Sequence, residues 1–175
     1  MGRTTNNQQR PSLDEYFIRM AYLVASRATC KRRSVGCVLV DEHGHVLSTG
    51  YNGRPSGMTH CNHQTYKLHT DGRRKPTYPH ACPGANEPSG TSLGMCEAVH
   101  AEQNALLQCH DPFAIQTCYC TTLPCKDTCI KMLMNTSCST IVFAESYQNE
   151  SEIIDFWLRS GTLTRKREIY KHPRV

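Results

Sequence analysis

The chain has 175 residues, 38% of them apolar, with a mean hydropathy of −0.53 and a formal net charge of +5. That length suits one domain with a proper core, and no window approaches the roughly 18 apolar residues a bilayer span needs. The polar stretch Met1–Arg10 lacks the apolar core of an export signal, so the eleven cysteines read as metal ligands or small buried residues rather than disulfides.

In chain order, residues 1–11 read as a flexible N-terminal tail and residues 12–170 as the domain. Ser12 and Glu15 form a capping box that opens a helix with Leu13, Phe17, Met20, Ala21, Val24 and Ala28 on one face, ending near Cys30. The β-branched runs Val35–Val40 and Val46–Thr49 read as a hairpin. The segment Gly50–Pro55 then stops regular structure, and residues 54–95 form a Cys/His-rich insertion with no sustained period. A loop that long in a compact domain needs something to pin it, and its Cys and His content suggests a metal. Cys96–Gln108 reads as a helix, Thr117–Thr122 as a strand, Cys125–Asn135 as a helix and Ser139–Ala144 as a strand. Glu150–Ser160 reads as a helix stopped by Gly161, and Thr162–Arg165 as a last strand. This order predicts an α/β fold of three layers, α/β/α, around a central five-stranded mixed sheet. Cys37, Cys109, Cys118 and Cys138 lie in apolar stretches and read as core.

The chemistry concentrates in His100-Ala101-Glu102 and in Pro124-Cys125 followed by Cys129. One His and two Cys supply three of zinc's four ligands and leave a position open for water, while a carboxylate two residues from the His can move protons. The pattern His-x-Glu then Pro-Cys-x-x-Cys marks zinc deaminases, but here three residues, not two, separate the cysteines. Two arrangements absorb the extra residue. Cysteines at i and i+4 share a helix face if Cys125 is already helical, and a one-residue bulge serves if Cys125 is a cap. Both helix N-termini would favour the negative charge of thiolates. The basic clusters Lys31–Arg33, Arg73–Lys75 and Arg165–Arg167 are too short for a nucleic-acid stripe, and the modest positive balance fits an anionic small molecule.

In Val35-Gly36, in Ser48–Gly57, in His100–Ala105 and in Tyr119–Cys125, the chain resembles the deoxycytidylate (dCMP) deaminases of the cytidine deaminase superfamily, of the phage and bacterial type with a Cys/His-rich insertion. The resemblance implies hydrolytic removal of the 4-amino group of dCMP to give dUMP and ammonia, supplying dUMP for thymidylate synthesis. It places catalytic zinc on His100, Cys125 and Cys129, with Glu102 as the proton shuttle. The Ala101 N–H and Leu123 carbonyl would grip the pyrimidine edge, Asn52 the sugar, and Tyr147 the phosphate or ribose. A second, structural zinc would sit on Cys30, Cys61, His80 and Cys82, with His60, His63 and Cys96 as substitutes.

The same resemblance implies activation by dCTP and inhibition by dTTP near Gly53. Arg54, Lys31, Arg32 and Arg33 would reach the triphosphate, and Mg2+ would accompany it. It further implies a homo-oligomer, a hexamer, located in the cytoplasm (host cytoplasm if phage-encoded), with no nucleic-acid or membrane partner. Two other readings stand beside it: a deaminase of another cytosine nucleotide such as dCTP, and a non-catalytic zinc-stabilised binding module. Glu102 weighs against the module, because a structural zinc site wants a fourth ligand rather than a free carboxylate.

Overall fold

The segment Gly36–Val40 is apolar at every position rather than at alternate ones, the pattern of a strand covered on both faces. In the computed structural model, which describes residues 10–88, 91–146, 149–162 and 166–174, this segment is strand β1 and all five residues are buried. It pairs antiparallel with β2 (Val46–Tyr51) on one side and with β5 (Thr117–Thr122) on the other. β5 continues in parallel to β6 (Thr140–Glu145), and β6 to β7 (Glu168–Lys171), giving the order β2-β1-β5-β6-β7. Parallel neighbours need crossovers. Helix α3 (Lys131–Met134) lies in the first and α4 (Glu150–Arg159) in the second.

One face of the sheet carries α1 (Leu13–Ala25), whose N-cap Ser12 Oγ accepts from Glu15 N at 3.1 Å, a contact worth about 1 kcal/mol. Phe17, Ile18 and Ala21 of α1 pack on Val38, Val40, Tyr119 and Val142. The opposite face carries α2 (Ala101–Gln108), α3 and α4, where Ala105, Ile130, Leu133, Ile153 and Trp157 meet Leu39, Ile141 and Phe143. Two glycines let helix backbone touch strand backbone. A Cβ on Gly36 would lie 2.0 Å from the Ala21 carbonyl oxygen of α1, and one on Gly50 would lie 2.2 Å from that of Ala101 in α2. The expected three-layer α/β/α architecture with a five-stranded mixed sheet is therefore present.

Several boundaries differ from the sequence expectation, each for a non-local reason. Helix α1 stops at Ala25 rather than near Cys30, because Ser26 Oγ turns back onto the Leu23 carbonyl and Thr29 N donates to Asn52 O. Helix α2 begins at Ala101 rather than Cys96, since Val99 is held extended by a two-way bridge to Gly53. The insertion is not wholly irregular. It holds a two-stranded hairpin, β3 (Thr65–Leu68) with β4 (Arg74–Thr77), turned through Gly72 at φ +76 with Asp71 Oδ1 accepting from Arg73 N. The last strand lies at Glu168–Lys171, beyond the expected Thr162–Arg165, of which residues 163–165 fall outside the described residues. Trp157 Nε1 donates to Glu168 O, so α4 itself aligns that strand. Among the described residues no helix is long and apolar enough to cross a membrane.

Candidate active site

His100 is the N-cap of α2, with extended backbone, and its N–H donates to Gln103 Oε1 at 2.8 Å. This puts Ala101 and Glu102 in the first turn, where backbone N–H groups have no helical partner. β5 delivers the second half of the site: Leu123 N donates to Glu145 O at 2.7 Å, and the chain then turns through Pro124 into Cys125. Cys125 is itself a cap with extended backbone, and the helix after it opens with one π turn, Lys126–Ile130. In that turn Ile130 N donates to Cys125 O, five residues back, at 3.0 Å. Such a turn holds one residue more than an α-turn. The extra residue of Cys125-x-x-x-Cys129 is thus absorbed as a bulge behind a cap, the second of the two arrangements above.

The result is convergence. His100 Nδ1 stands 3.5 Å from Cys125 Sγ and 3.3 Å from Cys129 Sγ, and the three donor atoms all lie within 4.8 Å of one another. Glu102 stands beside them, its Oε2 at 3.5 Å from Cys129 Sγ, and is only 4% exposed. Hydrogen bonds from the Cys129 thiol and from His100 bring Cys125 down to about 3, the first of these being the larger. Cys129 is pushed well above the ordinary thiol range, first by its bond to Cys125 and then by burial. His100 is raised, chiefly by its bond to Cys125. The pair of thiols thus shares a proton that a cation would replace. Nitrogen and thiolate donors at this separation suit zinc. Burial lifts the Glu102 carboxyl to about 7.

The remaining expected site residues fall into three groups. Ala101 and Leu123 are buried at the two chain turns that carry the ligands. The buried Asn52 spends its amide on backbone, Oδ1 accepting from Val35 N and Nδ2 donating to Arg33 O, both at 2.8 Å. It therefore fixes the loop beside the site. Tyr147 lies outside the described residues.

Of the four residues expected on a structural zinc, the structure brings Cys61 and Cys82 together, buried with Sγ atoms 3.7 Å apart. Cys30 is buried and His80 exposed, and neither joins them in a group of three donor atoms among the described residues. The basic residues around Gly53 are engaged within the chain. Lys31 reaches Asn86 and the Tyr78 ring, and Arg32 the carbonyls of Pro88 and Thr91. Arg54 pairs with Glu97 and donates to the carbonyls of Thr59 and His80. Arg33 pairs with Glu145 at 2.5 Å. Sequence reasoning missed a cleft of about 650 Å³ at the ends of β6 and β7, lined by Arg33, Glu145, Ser146, Lys171, His172 and Arg174. The signal was a basic run, Lys171-His172-Pro173-Arg174, beginning at the last residue of β7.

Residues 11–145 match the family described as "Cytidine and deoxycytidylate deaminase zinc-binding region". The chain is 35% identical over 168 residues to a deoxycytidylate deaminase of Saccharomyces cerevisiae, covering 95% of this chain and 48% of that one. It is 39% identical over 117 residues to the deoxycytidylate deaminase of Mycobacterium phage D29, covering 66% of this chain and 82% of that one. Against the two yeast relatives it matches, the chain spans about half their length (48% and 45%). The fold is similar to the crystal structure of dCMP deaminase from cyanophage S-TIM5 in apo form, with a TM-score of 0.61 and 25% identity over 94% of this chain and all of that one. The S-TIM5 protein has also been crystallised with dCMP and dUMP.

Proposed function

The chain belongs to the cytidine and deoxycytidylate deaminase family, and on that premise we propose that it hydrolyses dCMP to dUMP and ammonia. The observation that carries this reading is the buried Glu102 carboxyl beside the His100, Cys125 and Cys129 donors. Those three residues would hold zinc, which supplies Lewis acidity that brings a water's pKa near neutrality. Glu102, raised to about 7, can both take and give a proton at neutral pH. Its Oε2 takes a proton from water and passes it to N3 of the cytosine ring while the water oxygen bonds to C4. The proton of the resulting C4 hydroxyl then passes through Glu102 to the 4-amino group, the C4–N bond breaks and ammonia leaves. The Ala101 N–H and the Leu123 carbonyl present one donor and one acceptor to the pyrimidine edge. Their burial keeps bulk water off those contacts. Asn52 orients the loop that borders the sugar, and Tyr147 takes the phosphate or ribose.

The cleft lined by Arg33, Glu145, Lys171, His172 and Arg174 shares Arg33 with this loop, Asn52 Nδ2 donating to the Arg33 backbone carbonyl. Glu145 pairs with Arg33 and Arg174 there, and the cations still outnumber it, an excess that favours a nucleotide over a nucleoside. Ammonia release assayed against dCMP, dCTP, CMP and deoxycytidine tests the reading. It is expected from dCMP at least tenfold faster than from deoxycytidine. Preference for dCTP would move the substrate from the monophosphate to the triphosphate, and no release from any would leave a zinc-stabilised binding module.

The same reading extends to a homohexamer supplying dUMP for thymidylate synthesis in the cytoplasm, activated by dCTP with Mg2+ and inhibited by dTTP. Adding each triphosphate to the dCMP assay, alongside a measurement of solution mass, checks it. A second zinc pinning the insertion rests on the buried Cys61–Cys82 pair. Metal analysis giving two zinc per chain would carry it, and one per chain would remove it.

A further inference from the structure

The core behind Glu102 holds a second convergence of donors that the proposed reaction does not use. Cys37 on β1 and Cys118 and Cys120 on β5 are fully buried, and their sulfurs all lie within 4.8 Å of one another. Cys118 Sγ is 3.6 Å from Cys37 Sγ and 3.6 Å from Cys120 Sγ. The register explains the convergence: Cys37 faces Cys120 across the antiparallel pair, and Cys118 lies two residues along β5 on the same face. Two sulfurs bound at about 2.3 Å to one centre at a tetrahedral angle sit about 3.8 Å apart. The thiols therefore stand at a ligating separation before any ion enters.

Which ion fits follows from charge. The three thiols belong to the buried cluster that also holds Leu39, Ala105, Ile141 and Phe143, so a complex with net charge would be costly there. Zinc on three thiolates carries net charge and wants a fourth ligand, and among the described residues no fourth His, Cys, Asp or Glu donor atom lies within 4.8 Å of all three sulfurs. A trivalent, three-coordinate centre leaves the complex neutral. Oxidation to a disulfide fits less well, because redox-sensing thiols are solvent-accessible and these are not.

We propose that Cys37, Cys118 and Cys120 form a three-thiol site for a trivalent thiophilic centre, with arsenite as the ligand. Arsenous acid, As(OH)3, condenses with three Cys S–H groups to give As(S-Cys)3 and three waters. Three As–O and three S–H bonds break, three As–S and three O–H bonds form, and no oxidation state changes. The site is distinct from the His100, Cys125 and Cys129 donors and does not depend on the reaction assigned to them.

The test uses the zinc-loaded 175-residue chain, exposed to arsenite either in the native state or during refolding and then cleared of free arsenite by gel filtration. Arsenic and zinc are counted per chain by elemental analysis, and the bound mass is read by native mass spectrometry. One arsenic per chain is expected, with three protons lost and zinc retained. Cys118→Ala should lower arsenic at least tenfold, whereas Cys61→Ala should leave it unchanged. If Cys118→Ala does not fold, Cys37→Ala and Cys120→Val give the same readout. No arsenic in wild type by either route, arsenic retained by these variants, or arsenic gained only as zinc is lost would each overturn the proposal.

Discussion

Burial of Glu102 sets the most direct test of the proposed chemistry. A carboxyl lifted to about 7 but standing outside the group of three donors should matter to proton transfer and little to metal. Glu102→Gln is therefore expected to keep one zinc per chain while lowering kcat by roughly 10²–10⁴, read by metal analysis beside the dCMP assay. Lost zinc, or retained turnover, would remove that role. The neighbouring donors make a second prediction. Cys129 and His100 both hold protons more tightly than usual, so an incoming metal must displace them. Zinc affinity should then fall as pH drops through 7 towards 6, by about tenfold per proton displaced per pH unit, measured by competition with a chelating dye. These residues were legible in the sequence because their chemistry is local: a His, a carboxylate two places on, and two cysteines at a helix start. The part played by Asn52 was not, since both of its bonds reach backbone 17 and 19 positions away.

At the scale of elements, Gly50 governs where α2 sits. A Cβ there would meet the backbone of Ala101 at 2.2 Å and of Ala105 at 2.3 Å, and backbone cannot swing aside as a side chain can. Gly50→Ala should lift α2 from the sheet and carry Glu102 with it. A cost of about 1–3 kcal/mol is expected in chemical denaturation, with a loss of activity larger than the loss of folded protein. Preserved stability would contradict the close approach. The helix after Cys125 offers the complementary experiment. Deleting Thr128 restores a two-residue gap between the cysteines and should convert the π turn to an α-turn while zinc stays at one per chain. The start of α1 was readable from Ser12 and Glu15, whose bond is local. The start of α2 was not, because the Val99–Gly53 bridge that delays it joins segments 46 residues apart. The β3–β4 hairpin lacks alternating apolar residues and carries Pro76, yet Asp71-Gly72 between two short extended runs is a hairpin signal in its own right.

Taken whole, the molecule is a layered core with a long insertion fastened to it by side chains rather than by sheet pairing. Lys31 and Arg32 reach into residues 78–91, while Arg54 spans Thr59, His80 and Glu97. Arg54→Ala should loosen residues 54–95, seen as limited proteolysis at least tenfold faster within that segment, while the zinc on His100, Cys125 and Cys129 remains. Unchanged cleavage would mean that the hairpin and the Cys61–Cys82 contact hold the insertion by themselves. The layered order could be read in advance because the layer-forming elements show in their own sequence, α1 by its apolar face and β1 by an unbroken apolar run. The fastening could not, because most of its struts join a side chain to a partner tens of positions away. The π turn at Lys126–Ile130 has a consequence on this same scale. One residue added inside a regular helix rotates all that follows by about 100° and advances it by 1.5 Å, which would carry Ile130 and Leu133 off the core. Here the added length is spent within five residues, and the buried face beyond them keeps its aim. Chain length in this loop is thereby uncoupled from the architecture around it, so a lineage could gain or lose a residue there in a single step without passing through a form unable to bind metal.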